Sequence, residues 1–175
     1  MTARDLDDVP DDTNRYEVID GELYVSPFPA YAHQYTLMEL LAIVDGHVRR
    51  NRLGRVFPAG LKVVIGEPTG VGPDIVYVSA ARMDGMRDDG FYGAPDLVVE
   101  ILSTKPNLDR VVKRGAYERG GIPHYWIVDP EKRTFDALRL DGGRYRTEAR
   151  IEGEGELRAT LFPGLVIDVA SLWPR

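Results

Sequence analysis

Residues 73–78, Pro-Asp-Ile-Val-Tyr-Val, and residues 96–102, Asp-Leu-Val-Val-Glu-Ile-Leu, are two short apolar stretches that decide the fold, and each carries a carboxylate inside it or at its start. Stretches of this length that are rich in Val and Ile and bounded by Gly or Pro are typical of β-strands. Because both are apolar on both faces, they predict central strands of a covered sheet. An ionised carboxylate there is costly unless a cation lies beside it. Asp74 and Glu100 therefore require an explanation.

The geometry of a strand pair can bring these two carboxylates together. If the strands pair antiparallel through the polar segment 79–95, the start of the first strand lies beside the end of the second, and Asp74 meets Glu100. Asp96 lies earlier on the second strand, roughly 13 Å from Glu100 at about 3.3 Å per residue. Asp96 is therefore expected to cap the far end of the strand.

The helices predicted on either side of this pair indicate an α/β domain. Apolar residues recur at helical spacing from about Tyr31 to Arg52, and Gly54 is expected to end that helix as its C-terminal glycine. A second helix is expected from about Asn107 to Arg119, with Asn107 or Asp109 as its N-cap. A buried strand follows at residues 124–128. The order strand, helix, strand implies a parallel pair with a right-handed connection.

Hairpin signals lie near both ends of the chain. Asp20-Gly21 separates two short apolar stretches, and residues 141–143, Asp-Gly-Gly, separate two alternating stretches. The expected fold class is therefore α/β, with a mixed central β-sheet flanked by helices and with N- and C-terminal β-hairpins. Residues 1–14 are expected to form a flexible acidic lead-in, and residues 15–175 a single domain.

Composition limits the classes of protein that remain. The chain has no Cys, which excludes disulfides and thiolate metal sites. No apolar run approaches the roughly 20 residues of a membrane span, and the acidic start does not resemble a signal peptide, so a cytoplasmic protein without membrane contact is expected. A net charge of −6 argues against coating nucleic acid by bulk charge. One local cluster is either a solvated helix face or a phosphate-facing patch: Arg49, Arg50, Arg52 and Arg55.

Asp74 and Glu100 together suggest a shared metal ion. Two carboxylates that meet in a covered sheet repel each other unless a cation lies between them. Mg²⁺ suits oxygen ligands, takes one or two protein carboxylates and keeps several waters, and Mn²⁺ is expected to substitute for it. A phosphate ester can complete the shell, where the metal polarises the phosphoryl oxygen and activates a water. Lys113, on the helix that follows Glu100, is placed to orient that water and to offset developing charge.

A set of motifs runs along most of the chain. Its members are Tyr16-Glu17-Val18-Ile19-Asp20-Gly21-Glu22, His33, Pro73-Asp74, Glu100, Asp109, Lys113, Tyr117 and Tyr125-Trp126-Ile127-Val128-Asp129. Together they resemble the Uma-type family of the PD-(D/E)XK nuclease superfamily, over residues 16–168. The resemblance implies a restriction-endonuclease-like core and metal-dependent hydrolysis of phosphodiester bonds, with nucleic acid, expected to be DNA, as the partner.

One departure from the superfamily pattern concerns its lysine. The pattern places a lysine two residues after the acid, where this chain has Leu102. The resemblance implies that Lys113 supplies the ammonium instead. The expected catalytic residues are thus Asp74, Glu100 and Lys113, with the two acids as metal ligands. Three further side chains are candidates for a supporting role in the site, and each has an alternative. Glu22 is otherwise a surface strand residue, Asp109 an N-cap and Tyr117 a packing residue. His33 is expected to be structural.

Two other classes of function fit the same residues. Leu102 in the lysine position and the acidic net charge fit a module on this fold that binds nucleic acid without turnover and without metal. A structural or interaction protein is the third reading, with Glu100 salt-bridged to Lys113 and a homodimer built through the C-terminal hairpin. A nuclease that cuts both strands of a duplex would also need two centres, which a homodimer supplies.

Overall fold

The computed structural model describes residues 1–10, 12, 14–26, 29–103 and 108–174. In chain order the strands are β1 (Arg15–Ile19), β2 (Glu22–Ser26), β3 (Gly54–Pro58), β4 (Val63–Val64), β5 (Gly70–Val71), β6 (Ile75–Ser79), β7 (Met86–Arg87), β8 (Gly90–Tyr92), β9 (Leu97–Ile101), β10 (His124–Asp129), β11 (Thr134–Asp141), β12 (Arg144–Glu152), β13 (Glu156–Leu157) and β14 (Ile167–Asp168). The helices are α1 (Tyr31–Arg50) and α2 (Arg114–Arg119), with a π-helical segment at Leu108–Lys113 leading into α2 and 3-10 helices at Ala3–Asp8, Ala80–Gly85 and Val169–Leu172. None of the helices in the described part of the chain has the length and apolar character needed to cross a membrane.

Two six-stranded mixed sheets build the fold. The larger has the order β12-β11-β10-β9-β6-β3 and the smaller has the order β2-β1-β5-β4-β8-β7, with β13 and β14 forming a separate pair. Within the larger sheet, β6 and β9 pair antiparallel, whereas β9 and β10 pair parallel. The predicted central strand pair, the parallel connection and both hairpins, β1-β2 and β11-β12, are therefore confirmed.

The larger sheet is covered on both faces, as its apolar central strands require. One face packs against α1, whose buried stripe includes Leu37, Leu40 and Val44 at helical spacing. The other face packs against α2 and the smaller sheet, which contribute Tyr117 and Ile19 to the second core. Any charged side chain on the middle strands is thereby enclosed.

The end of α1 differs from the sequence prediction. The helix ends at Arg50, and the residue in the left-handed conformation is Arg52, with φ 55°, rather than Gly54. The amide of Leu53 donates to the Val48 carbonyl over 3.0 Å, which closes the helix before Gly54 begins β3. Gly54 is needed for another reason: a Cβ there would lie 2.1 Å from the Val78 carbonyl oxygen.

The N-terminal segment, expected to be a flexible acidic lead-in, contains one short helix. Residues Ala3–Asp8 form a 3-10 helix whose Ala3 is buried and whose Ala3 amide donates to the Glu67 carbonyl over 3.1 Å. Gly70 on β5 admits this contact, because a Cβ there would lie 2.9 Å from the Ala3 Cβ. Of the two N-caps considered for the second helix, Asn107 lies outside the described residues.

Candidate active site

Asp74 and Glu100 lie side by side at one end of the β6-β9 pair. The register Ile75↔Val99 places Asp74 opposite Glu100, and the Asp74 amide donates to the Val99 carbonyl over 3.1 Å. Directly opposed residues of an antiparallel pair point to the same face. Here that face carries Val76 and Val98 and packs against α2. Both carboxylates are buried, with 1% and 0% of their surface exposed.

Lys113 reaches these carboxylates from the π-helical segment that leads into α2. Its Nζ lies 2.9 Å from Glu100 Oε1, 2.9 Å from Glu17 Oε1 and 3.3 Å from Asp109 Oδ1, and the side chain is fully buried. Burial by itself lowers the pKa of this ammonium, but the three carboxylates outweigh it and the pKa is raised. Lys113 is therefore held as a cation.

Glu17 is a member of this centre that the sequence analysis missed. It lies on β1 of the smaller sheet with no exposed surface, and its Oε1 accepts from the Gly72 amide over 2.9 Å. Its Oε2 is buried without a hydrogen-bond partner. An acid among Tyr16, Val18 and Ile19 satisfies the same criterion that singled out Asp74 and Glu100, a charge inside an apolar strand.

Glu22, considered either as a supporting residue or as a surface strand residue, has an exposed side chain in the structure. Glu22 starts β2 with its side chain exposed, and the partner of its carboxylate is the Tyr24 hydroxyl at 3.1 Å. The tight Asp20-Gly21 turn places Glu22 on the strand that forms the edge of the smaller sheet. The acid that reaches the lysine is Glu17, on the inner strand of the same hairpin.

Asp74 is held by two further side chains that the sequence did not assign to the site. Arg15 Nη1 lies 2.9 Å from Oδ1, and His33 Nε2, from the first turn of α1, lies 3.1 Å from Oδ2. The Ile101 amide also donates to Oδ2 over 2.8 Å. Burial alone would raise the pKa of Asp74, but the His33 hydrogen bond and the Arg15 and Lys113 charges lower it overall. His33, expected to be structural, contacts a predicted metal ligand.

Glu100 has a different electrostatic environment. Burial raises its pKa to about 8, because the neighbouring acids add to the desolvation and Lys113 offsets only part of it. The Tyr117 hydroxyl donates to Oε1 over 2.7 Å, whereas Oε2 is buried and has no partner. Asp109 also has a pKa raised by burial. Tyr117 thus contacts Glu100, and Asp109 contacts Lys113.

The donor set fits a hydrated divalent cation in charge and in ligand type. Four buried carboxylates face two permanent cations, Lys113 and Arg15, and three of the carboxylate oxygens lack a hydrogen-bond partner in the described part of the chain: Glu17 Oε2, Glu100 Oε2 and Asp109 Oδ1. Within the described residues, no set of three or more His, Cys, Asp or Glu side chains is arranged to hold a metal. Mg²⁺ takes only one or two protein carboxylates and fills its shell with water, so Glu100 and Asp74 would suffice.

A covered mixed sheet with paired carboxylates and a lysine at one end defines a restriction-endonuclease-like fold. A putative nuclease belonging to DUF820 from Anabaena variabilis, known from its crystal structure, superposes with a TM-score of 0.79 at 21% identity, over 99% of this chain and 97% of that chain. Residues 3–170 match the model of the Uma2 family, described as "Putative restriction endonuclease", and the chain belongs to this family. No curated protein matches the chain.

Proposed function

We propose that the protein is a metal-dependent nuclease that hydrolyses phosphodiester bonds of DNA. Asp74 and Glu100 would hold Mg²⁺, or Mn²⁺ in its place, and Lys113 would orient the attacking water. The observation that carries the proposal is the contact of the Lys113 ammonium with Glu100, whose second oxygen is buried and unpartnered beside Asp74. A buried acid with a spare oxygen, a second acid opposite it and a fixed cation are the parts that metal-assisted hydrolysis needs.

Each side chain has a separate role in this proposal. When bound, Mg²⁺ polarises the phosphoryl oxygen and lowers the pKa of a coordinated water. Lys113 remains protonated because the pKa of its ammonium is raised, so it donates hydrogen bonds and offsets negative charge that develops on the phosphorus oxygens. Arg15 and His33 keep Asp74 ionised and fix its orientation. Tyr117 fixes the orientation of Glu100.

The test replaces each acid by its amide. Glu100→Gln and Asp74→Asn should each lower the rate of DNA cleavage in Mg²⁺ at least about a hundredfold, because the lost charge is worth several kcal/mol of transition-state stabilisation. The matched control is Glu22→Gln, which removes an exposed carboxylate of the same family motif and should leave the rate unchanged. Cleavage is measured by conversion of supercoiled plasmid to nicked and linear forms.

Two results would contradict the proposal. One is wild-type protein that cleaves no form of DNA or RNA in Mg²⁺ or Mn²⁺. The other is a Glu100→Gln variant that cleaves at the wild-type rate. A result in which Glu22→Gln loses as much activity as Glu100→Gln would show that the assay reports general damage rather than the loss of this centre.

The complete burial of the centre favours a second candidate, a binding or interaction module without turnover. In this arrangement Lys113 already neutralises Glu100, and Glu17, Glu100 and Lys113 have no exposed surface. Such a module would bind nucleic acid equally with and without metal, and binding would survive Glu100→Ala. Gel-shift titrations of wild type and Glu100→Ala in Mg²⁺ and in EDTA distinguish it from the nuclease.

A further inference from the structure

A cationic surface lies at the end of α1, away from the buried centre. It contains an open groove of about 430 Å³, which we call the arginine groove. The residues that line this groove are Arg49, Arg52, Gly54, Arg55, Ala80 and Met83. Three of these six residues are arginines and none is an acid. In a chain with a net charge of −6, such a surface concentrates positive charge locally.

The guanidinium groups of the arginine groove are largely free of counter-charge. Arg49 pairs with Asp45 over 2.6 Å, but within the described residues neither Arg52 nor Arg55 forms an ion pair. Arg55 donates only to the adjacent Gly54 carbonyl, over 3.1 Å. Arg50, exposed on the last turn of α1, is likewise without a carboxylate in the described part of the chain. At least two unpaired arginines therefore face solvent in one concave surface.

The dipole of α1 accounts for only part of this charge. Basic residues in the last turn of a helix stabilise its negative end, which explains Arg49 and Arg50. Arg55, however, lies on β3, and Arg52 lies beyond the helix in a left-handed conformation with φ 55°. Glycine adopts that conformation without the cost that an arginine bears. Backbone stability therefore does not explain an arginine at this position.

The position of the arginine groove relative to the carboxylates matches an extended polyanion. Gly54 pairs with Ser79 at one end of β6, and Asp74 lies just before the other end. Five residues of strand separate the two places, roughly 17 Å at about 3.3 Å per residue. One strand of a duplex carries a phosphate about every 3.4 Å along the axis, so roughly five nucleotides would span that distance.

We propose that the arginine groove binds the phosphodiester backbone of nucleic acid as an anchoring surface separate from the carboxylate centre. Arg52 and Arg55 make the phosphate contacts, and Gly54 permits the close approach of β3 to residues 78–80 that forms the floor. The identity of the polyanion as nucleic acid rests on the proposed function. The anchoring itself requires neither metal nor cleavage.

The test compares two variants that change the net charge equally. Arg52→Glu/Arg55→Glu reverses the unpaired groove arginines, and Arg146→Glu/Arg158→Glu reverses two exposed arginines on and after β12 that pair with Asp141 and Glu156. Fluorescence anisotropy with labelled duplex DNA and with labelled single-stranded RNA, in EDTA, gives Kd as a function of salt. The groove variant should bind at least about tenfold more weakly, with a log–log salt slope smaller by about two for the duplex.

The matched variant should lose less than about threefold in affinity and keep the wild-type salt slope. Its two arginines are not part of the arginine groove, so they act on the nucleic acid only through a long-range interaction that salt screens. Of the two labelled probes, the one whose affinity falls more in the groove variant identifies DNA or RNA as the source of the phosphates. The proposal is overturned if the two charge-matched variants weaken binding equally, if the groove variant keeps the wild-type slope, or if wild type binds neither probe.

Arg52→Gly separates binding from folding. Glycine relieves the left-handed strain at position 52, so the midpoint of thermal unfolding should equal or exceed that of wild type, while affinity falls and the slope drops by about one. An affinity unchanged by Arg52→Gly would contradict the role of this side chain. Glu100→Gln should keep groove binding although it loses cleavage, so failure of the nuclease proposal and failure of the groove proposal give different results.

Discussion

Among single residues, Lys113 has the most demanding environment. It is a fully buried ammonium within 3.3 Å of three carboxylates, and both of its neighbours on the larger and smaller sheets, Glu100 and Glu17, are buried as well. Removing one partner of a buried ion pair leaves the others uncompensated, which costs far more than losing a surface pair. The energetic role of Lys113 can therefore be tested without any assay of activity.

Lys113→Met keeps the length of the side chain and removes its charge. We expect the free energy of unfolding to fall by about 3 to 5 kcal/mol, measured by urea denaturation at neutral pH. Arg119→Met is the control, because Arg119 is exposed, pairs with exposed Asp20 and should cost under about 1 kcal/mol. A Lys113→Met variant as stable as the control would contradict the ion-pair geometry.

The raised pKa of Glu100 predicts a pH dependence of stability in metal-free protein. Between its ordinary value of 4.5 and its folded value of about 8, the folded protein retains a proton that the unfolded chain has released. The stabilisation that Glu100 contributes is therefore complete below pH 4.5 and is lost as the pH rises through about 8. The lowered pKa of Asp74 acts below 3.8, outside this window.

Glu100→Gln removes this titration. The stability of wild type minus that of Glu100→Gln should therefore fall by a few kcal/mol, to order of magnitude, when unfolding is measured across the pH window from 4.5 to about 8. Glu22→Gln, which makes the same substitution at an exposed carboxylate, is the control variant. A flat wild-type-minus-variant difference for Glu100→Gln would show that its carboxyl does not titrate abnormally.

The sequence predicted some residues of the centre and missed others for a physical reason. Asp74 and Glu100 stand out because a charge in an apolar strand has to be compensated, and the helix that follows supplies Lys113. Arg15 and His33 are ordinary polar residues in ordinary local contexts. Their proximity to Asp74 arises only when β1 and α1 pack beside β6, which no short stretch of sequence encodes.

At the scale of elements, α2 is positioned by a close contact at its C-terminal end. A Cβ on Gly120 would lie 2.0 Å from the Ile65 Cγ2, so the helix can approach the β4–β5 turn only with glycine there. Gly120 has φ −72° and needs no glycine for its conformation. Gly115, the second residue of α2, faces only the end of the flexible Arg119 side chain. Position 120 therefore requires glycine, whereas position 115 can accept a larger residue.

Gly120→Ala should destabilise the protein by about 1 to 3 kcal/mol, because an inserted methyl group forces the helix away from Ile65. Gly115→Ala should stabilise it by about 0.5 to 1 kcal/mol, because alanine is the better helix former. Thermal unfolding of the two variants checks the signs. If Gly120→Ala is as stable as Gly115→Ala, helix docking does not depend on that contact.

Strand pairing followed from the sequence where the strands are long enough to carry a pattern. The β6-β9 register and the β9-β10 parallel pair follow from apolar stretches of five or six residues. The β1-β2 hairpin of the smaller sheet also followed, but the remaining pairings of that sheet did not, because β4, β5 and β7 have only two residues each and no periodicity is visible at that length. Glu17 was missed for this reason: β5, its neighbour in the smaller sheet, left no sequence pattern to show that β1 is an inner strand.

For the whole molecule, metal binding should couple to global stability. A ligand that binds only the folded state stabilises it by about 2.7 kcal/mol at a hundredfold excess over Kd. Mg²⁺ should therefore raise the unfolding midpoint of wild type and leave that of Asp74→Asn/Glu100→Gln unchanged. KCl at the same ionic strength serves as the screening control. Equal shifts with KCl, or equal shifts in the double variant, would remove the metal from the proposal.

The buried centre around Lys113 joins three parts of the chain that are distant in sequence: Glu17 from β1, Glu100 from β9 and Lys113 before α2. Bringing such remote segments together has an entropic cost that must be met before their contacts can form. Its assembly is thus expected after the rate-limiting step of folding, and substitutions there should chiefly accelerate unfolding. A change at one of these side chains should therefore shorten the lifetime of the native state and leave the rate of reaching it nearly unchanged.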